Sequence, residues 1–188
     1  TILEIQGQNR CVYAILGDET QEVMFKRIAG LSFIRKVDRI ESSYKLMNRR
    51  SALADHLVKI GNVEVGKDVP FIIGGPCTID PANPSLFIET AHALREVGVQ
   101  ALRGGVWKPR TNPYSYQGDN KSLDIILQAR EETGLPIDIE VMDLAQLKLA
   151  LEAKVDILQV GTRNALNYSL LKEIGRLSTG TESAVLLK

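Results

Sequence analysis

The sequence predicts an α/β fold made of parallel βα units, about five of the eight that form a (β/α)8 TIM barrel, with a small α+β unit ahead of them. From Val69 onward, short apolar runs alternate with helical stretches at intervals of about 30 residues, the rhythm of strand–loop–helix repeats. Glycine, proline and charged residues gather after the carboxyl end of each run: Gly75-Pro76-Cys77, Arg103 to Arg110, Glu140, Gly161-Thr162-Arg163 and Lys188. A barrel brings all those ends to one face, whereas an open doubly wound sheet concentrates its chemistry at one switch point. Chemistry after every strand favours the barrel, although five units alone do not close one.

The elements follow in order. Residues 1–5 and 10–16 read as strands joined by a turn at Gly7-Gln8-Asn9. Asp18 caps a short helix over 20–29, with Val23, Met24, Arg27 and Ile28 at helical spacing. Leu31 to Ile40 alternates apolar and polar residues and reads as a half-buried strand. Residues 1–40 are thus one small domain, the polar stretch 41–62 a linker, and 63–188 the barrel units. Val63-Glu64-Val65, followed by Gly66-Lys67-Asp68, reads as a small hairpin closing the bottom of the barrel. Phe71 to Gly75 is the first barrel strand. A helix follows over Pro84 to Val97, with Asn83 as its cap and Pro84 at its first position. Further strands are expected at Val99–Gly104, Pro136–Met142, Asp156–Gly161 and Ala184–Leu187. Helices are expected at Leu123–Thr133, at Asp143–Ala153 with Asp143 as cap, and at Asn167–Gly175.

Composition narrows the function. Lys plus Arg and Asp plus Glu each number 23, so the net charge is zero and the basic excess of a nucleic-acid-binding domain is missing. No run reaches the roughly 18–20 apolar residues of a membrane-spanning helix. Cys11 and Cys77 lie far apart, which argues against a disulfide framework and for a reducing, cytoplasmic setting. The chain begins without Met and ends in what reads as a buried strand, so residues are expected to be missing at both ends.

The densest chemistry lies between Leu102 and Gly118. Arg103, Lys108 and Arg110 fall within eight residues, on a loop stiffened by Pro109 and Pro113. At an effective dielectric of about 20, two unit charges roughly 7 Å apart repel by about 2 kcal/mol. A fold gains nothing from that repulsion, so an anionic ligand is the natural explanation. Arg supplies planar bidentate contacts, Lys a point charge that can also move a proton, and Thr111 a hydroxyl donor. Trp107 is expected to pack. Cys77, at a strand's carboxyl end, is either a thiolate donor to a divalent metal or a small buried hydrophobe. Glu140 can orient a cation or a water, or form a structural ion pair. Gly161-Thr162-Arg163 has the make-up of an anion seat, with Lys188 equivalent to it after the next strand. No glycine pattern here matches a dinucleotide or Walker loop.

Together these segments resemble the 3-deoxy-D-arabino-heptulosonate 7-phosphate (DAHP) synthases of the type I beta subgroup. The resemblance rests on Gly75-Pro76-Cys77, L-R-G-G-V-W-K-P-R-T-N-P-Y-S-Y-Q-G at 102–118, E-V-M-D at 140–143, Q-V-G-T-R-N at 159–164 and V-L-L-K at 185–188. It runs from about residue 63 to the end. The K-P-R-T-x-P-Y-S-x-Q-G loop is its most specific part. That loop differs from the K-A-N-R-S segment of the eight-carbon sugar-acid (KDO 8-phosphate) synthases, the nearest alternative. A non-catalytic fragment or regulatory module is the other alternative. Residues 1–40 resemble part of the ferredoxin-like domain carried by the subgroup, lacking its first strand and helix.

The resemblance implies condensation of phosphoenolpyruvate with erythrose 4-phosphate, the first step of the shikimate pathway, assisted by Mn2+ or a similar divalent metal. Arg103, Lys108, Arg163 and Lys188 would hold the phosphate and carboxylate of phosphoenolpyruvate, with Glu140, Gly161 and Thr162 completing the pocket. Lys108, Arg110 and Thr111 would face the aldose phosphate, with Lys108 as catalytic proton donor and Cys77 as one metal ligand. Tyr or Phe as feedback effector and a homo-oligomeric assembly are further implications. Thr162 stands where many members have Ala. The family's other metal ligands (a His, a Glu and an Asp), a further Arg and strands six to eight would lie beyond Lys188. No turnover is therefore expected from residues 1–188 alone. An assay of this polypeptide with both substrates and added Mn2+ checks this, and robust product formation would refute the need for those strands.

Overall fold

A computed structural model describes residues 2–6, 11–15, 22–38, 57–66 and 70–188. Contacts divide the chain into a unit of residues 1–56 and a unit of residues 57–188.

In the first unit, β1 (Ile2–Gln6) and β2 (Cys11–Ile15) pair antiparallel, with Ile2 opposite Ile15 and Gln6 opposite Cys11. Helix α1 spans Glu22–Ala29, with an acidic residue in its first turn and Lys26 and Arg27 in its last, matching the helix dipole. The expected turn at 7–9 and the expected cap Asp18 lie outside the described residues. The strand expected over 31–40 does not form over its described part. After α1 the chain instead winds through successive turns, in which Leu31 N–H donates to the Ile28 carbonyl and Ile34 N–H to that of Leu31. Adjacent Phe33 and Ile34 break the two-residue alternation that a half-buried strand requires, and Phe33 ends up 75% exposed.

The second unit begins earlier than the sequence pattern implied. Residues expected to close a linker form β3 (Val58–Ile60), paired antiparallel with β4 (Val63–Val65). The hairpin therefore uses residues upstream of Val63, turning at Gly61-Asn62, where Gly61 has φ +55°. Gly in the left-handed region makes that two-residue turn accessible.

Five parallel strands follow: β5 (Ile73–Gly74), β6 (Ala101–Arg103), β7 (Ile137–Glu140), β8 (Ile157–Val160) and β9 (Ala184–Leu187). They neighbour one another in strict sequence order. Helices α2 (Pro84–Glu96), α3 (Lys121–Thr133), α4 (Leu144–Glu152) and α5 (Tyr168–Ser178) alternate with them. A doubly wound sheet reverses strand order part-way, and this one does not, which is the arrangement of part of a (β/α)8 barrel.

Helix starts follow the local chemistry. Asp143 and Asn167 accept hydrogen bonds from the N–H groups of Gln146 and Leu170, capping α4 and α5 as expected. Asn83 occupies the cap position of α2, but its carboxamide accepts from the Ser85 hydroxyl instead of a helix N–H. Gly134, at φ +71°, terminates α3.

The sheet carries apolar residues on both faces. Leu102, Ile137, Ile139, Leu158 and Val160 pack outward against the helices with Phe87, Ile126, Leu147 and Ile174. Ala101 and Ile157 point inward and, with Ile60 of the β3–β4 hairpin and the part-buried Ile73 and Leu186, form a smaller inner cluster. The inner face is thus apolar where the strands begin. Polar residues follow toward their carboxyl ends.

Candidate functional site

Side chains alternate across a strand, so the outward packing of Ile137 and Ile139 commits Asp138 and Glu140 to the inner face. The same logic turns Arg103 inward on β6 and Gln159 inward on β8. Beyond the strands' carboxyl ends lies an open cleft of about 390 Å³, lined by Pro109, Glu140, Gly161, Thr162, Arg163 and Lys188. Five of the residues singled out from the sequence therefore share one depression.

Backbone hydrogen bonds build the cleft wall. Lys188 N–H donates to the Val160 carbonyl (3.0 Å), and the Thr162 hydroxyl donates to the Lys188 carbonyl (3.1 Å). After Gly161 the chain enters a 3-10 turn over Thr162–Asn164. A Cβ on Gly161 would overlap the Glu140 carboxylate, so only glycine lets Glu140 lie across this strand end. The Glu140 carboxylate accepts a hydrogen bond from the Gln159 side-chain amide at 3.2 Å.

A second group sits beside the first. Arg103 Nη2 donates to the Cys77 sulfur at 3.4 Å, and the Lys108 ammonium donates to the Cys77 carbonyl. Two loops cross closely here: a Cβ on Gly105 would overlap the Cys77 carbonyl. Burial lowers the pKa of Lys108, and Arg110 and Arg103 push the same way, while Cys77 and Glu140 oppose them. Lys108 thus feels Glu140 as well as Arg103, linking the two groups electrostatically.

The loop carrying Lys108 is anchored at its base. Trp107 is 6% exposed, its indole N–H donates to Asn120 Oδ1 (2.8 Å), and it bridges to Gly118, while Lys108 N–H donates to the Gln117 carbonyl. Its packing role is as expected. Arg110 and Thr111 are exposed on the outer part of that loop and are absent from the cleft wall.

Cys77 is exposed, which removes the reading of a small buried hydrophobe, and both it and Cys11 are free thiols. Among the described residues no group of three His, Cys, Asp or Glu side chains could hold a metal ion. The donors present supply one thiolate at most and do not by themselves fit a metal centre. His92 is no ligand candidate either, since it bonds Glu132 across α2 and α3 at 2.9 Å.

One charged residue on the inner face escaped the sequence reading. Asp138 is 3% exposed and has an oxygen, Oδ1, without a hydrogen-bond partner among the described residues. Burial pushes its pKa from 3.8 up to about 6, against the pull of Arg103 and Lys188 and with help from Glu140. The signal was present in P-I-D-I-E: a charged residue inside an apolar strand, two positions from Glu140 and so on the same face.

A parallel βα sheet in barrel order, with cations and a carboxylate gathered at its carboxyl edge, defines the class of barrel proteins that bind ligands at that face. Residues 42–188 match the DAHP synthetase I family, and the chain belongs to it. It is 37% identical over 171 residues to the phospho-2-dehydro-3-deoxyheptonate aldolase of Thermotoga maritima, covering 90% of this chain and 49% of that protein. A 2-dehydro-3-deoxyphosphooctonate aldolase from a Bradyrhizobium species is 32% identical over 119 residues, 58% of this chain and 41% of the relative. The crystal structure of the Thermotoga maritima DAHP synthase superposes with a TM-score of 0.70 at 34% identity, covering 100% of this chain and 53% of that one. A truncated form of the enzyme gives 0.63 at 32% identity, over 78% of this chain and 50% of that one. The chain spans about half the length of these relatives. No described helix is long and apolar enough to cross a membrane.

The Asp138 environment gives a stability prediction. A carboxyl whose folded pKa lies above its ordinary value favours folding only while protonated, so its contribution is lost as pH rises from about 4 through about 6. At neutral pH the ionised group costs on the order of 2–3 kcal/mol. Asp138→Asn is expected to raise unfolding free energy by that order at pH 7.5, the gain fading toward pH 4. Urea unfolding at both pH values measures it, and a destabilised variant at pH 7.5 would contradict the account.

Proposed function

We propose that this chain carries the phosphoenolpyruvate-binding part of a DAHP synthase active site, for condensation of phosphoenolpyruvate with erythrose 4-phosphate. The observation that carries the reading is the convergence of Glu140, Gly161, Thr162, Arg163 and Lys188 on one cleft, with Arg103 and Lys108 beside it. Two cations and a stretch of turn backbone suit a phosphate, and Arg103 suits the adjoining carboxylate. Carbon three of the enol phosphate attacks the aldehyde carbon of the aldose, and the aldehyde oxygen takes a proton from the Lys108 ammonium. Water adds at carbon two, and inorganic phosphate leaves. Burial and neighbouring guanidinium groups depress the Lys108 pKa, which brings the ammonium nearer the range where it gives up a proton readily. Holding both substrates and neutralising their charge would account for most of the acceleration.

Cys77 is proposed as one donor to a divalent metal of the kind common in this family, whose chemistry when bound is to polarise a carbonyl. Its other donors are not among the described residues. Arg110 and Thr111 are assigned to the aldose phosphate; their exposure on the loop rim is compatible with contact to a ligand that spans the cleft mouth. The 1–40 region is assigned a Tyr or Phe effector role on resemblance alone, and homo-oligomeric assembly and a cytoplasmic setting belong to the same reading.

Calorimetric titration of the chain with phosphoenolpyruvate tests the proposal. Arg163→Ala and Lys188→Ala are each expected to weaken binding about tenfold to a hundredfold, the effect of losing one charge-assisted contact. Erythrose 4-phosphate is expected to bind the phosphoenolpyruvate-loaded chain more tightly than arabinose 5-phosphate; the reverse order would favour the eight-carbon sugar-acid reading. Titration with Tyr or Phe checks the effector role, and no heat with either would count against it.

A further inference from the structure

Asp138 is unused by the reaction described above, yet its position relates it to every charged group on the inner face of the described strands. In the β6–β7 register it is the direct partner of Arg103, and in the β7–β8 register it faces Ile157. Neighbours in parallel register share a face, so the Asp138 carboxyl lies beside the stem of Arg103 and one step deeper than Glu140. Arg103 does not pair with it, because the guanidinium reaches Cys77 instead. The Asp138 oxygen Oδ1 is left buried without a partner among the described residues, a costly state for an ionised carboxylate. The charged groups that act on it are Arg103 from β6, Glu140 from its own strand and Lys188 after β9; β8 offers only the neutral Gln159 amide, already donated to Glu140.

We propose that Asp138 is a positioning residue that couples anion capture in the cleft to proton uptake: its carboxyl, seated beneath the cations, gains a proton from solvent as an anion binds above it. The proposal rests on the anion-binding reading of the cleft. Without a ligand, the positive field of Arg103 and Lys188 helps hold Asp138 ionised. An anion seated against Arg163 and Lys188 cancels much of that field and adds a negative charge of its own. The carboxylate then has burial, Glu140 and the ligand all opposing its charge, and only Arg103 in its favour. Taking one proton removes the conflict. The only bond made is the carboxyl O–H. Linkage fixes the sign: if binding takes up a proton, lowering the pH tightens binding. The pH at which Asp138 titrates, about 6, puts the transition within reach of ordinary conditions.

Sulfate is the probe, because its own charge does not change between pH 5.5 and 8. Titrating the unmodified chain calorimetrically is expected to show sulfate affinity falling about tenfold across that range, the scale of one pKa unit of coupling between nearby charges. At pH 6.5, apparent heats are expected to differ between two buffers of unlike ionisation enthalpy, which reports the proton taken up and requires no variant. Asp138→Asn is expected to bind sulfate at pH 8 as tightly as the unmodified chain does at pH 5.5, with a flat profile and buffer-independent heats. Asp138→Ser serves as a second neutral variant if the first does not fold. Sulfate binding with the same pH profile in variant and parent, or buffer-independent heats in the parent, overturns the proton coupling while leaving the anion cleft intact. No sulfate binding by the parent at any pH overturns both.

Discussion

Everything at the candidate site depends on the two-residue period of the parallel strands. One face of each strand must supply apolar side chains to the helices. Leu102, Ile137, Ile139, Leu158 and Val160 do this with almost no exposed surface. The residues between them have no choice but to point inward. Arg103, Asp138, Glu140 and Gln159 therefore meet on one side of the sheet, although 56 residues separate the first from the last. A one-residue slip in β7 would bury Asp138 and Glu140 among the helices and turn Ile137 and Ile139 to the inner face. Register and site chemistry are held by the same packing energy.

The inner face is graded from apolar to polar. Ala101 and Ile157 meet Ile60 of the β3–β4 hairpin where the strands begin, Arg103, Asp138 and Gln159 come next, and Glu140 with Lys188 reach the cleft. That gradient lowers water access around the charges in the middle layer, which strengthens each pairwise interaction there. It also accounts for the opposite shifts of Lys108 and Asp138. Burial disfavours the charged form of both, lowering the one pKa and raising the other. Burial thus weakens the hold of Lys108 on its proton and strengthens that of Asp138.

Close packing of loops supplies the remaining geometry. Gly105 lets the segment carrying Cys77 lie against the segment carrying Arg103, and Gly161 leaves room for Glu140. Neither position shows a catalytic side chain, yet each sets where one can be. Membership of the DAHP synthetase I family and the superposition on the Thermotoga maritima enzyme give this arrangement a context. Alternation, burial and hydrogen bonding by themselves bring these residues together.

The sequence by itself determined the βα rhythm, nearly all the helices, the caps Asp143 and Asn167, and the family, because those signals are local: a periodicity, a capping side chain, a short specific loop. It also named the cleft residues Glu140, Gly161, Thr162, Arg163 and Lys188, since each stands at or close to the carboxyl end of a recognisable strand. It misread residues 31–38, where imperfect alternation imitates a strand, and it set the start of the second unit too late, because a three-residue strand such as Val58–Ile60 carries little pattern of its own. Only the tertiary structure decided that Asp138 is buried in register with Arg103, that Cys77 is exposed against Arg103, and that Arg110 and Thr111 stand on the rim. Those facts depend on strand register and on which loops cross, and both are set by contacts between residues distant in the chain.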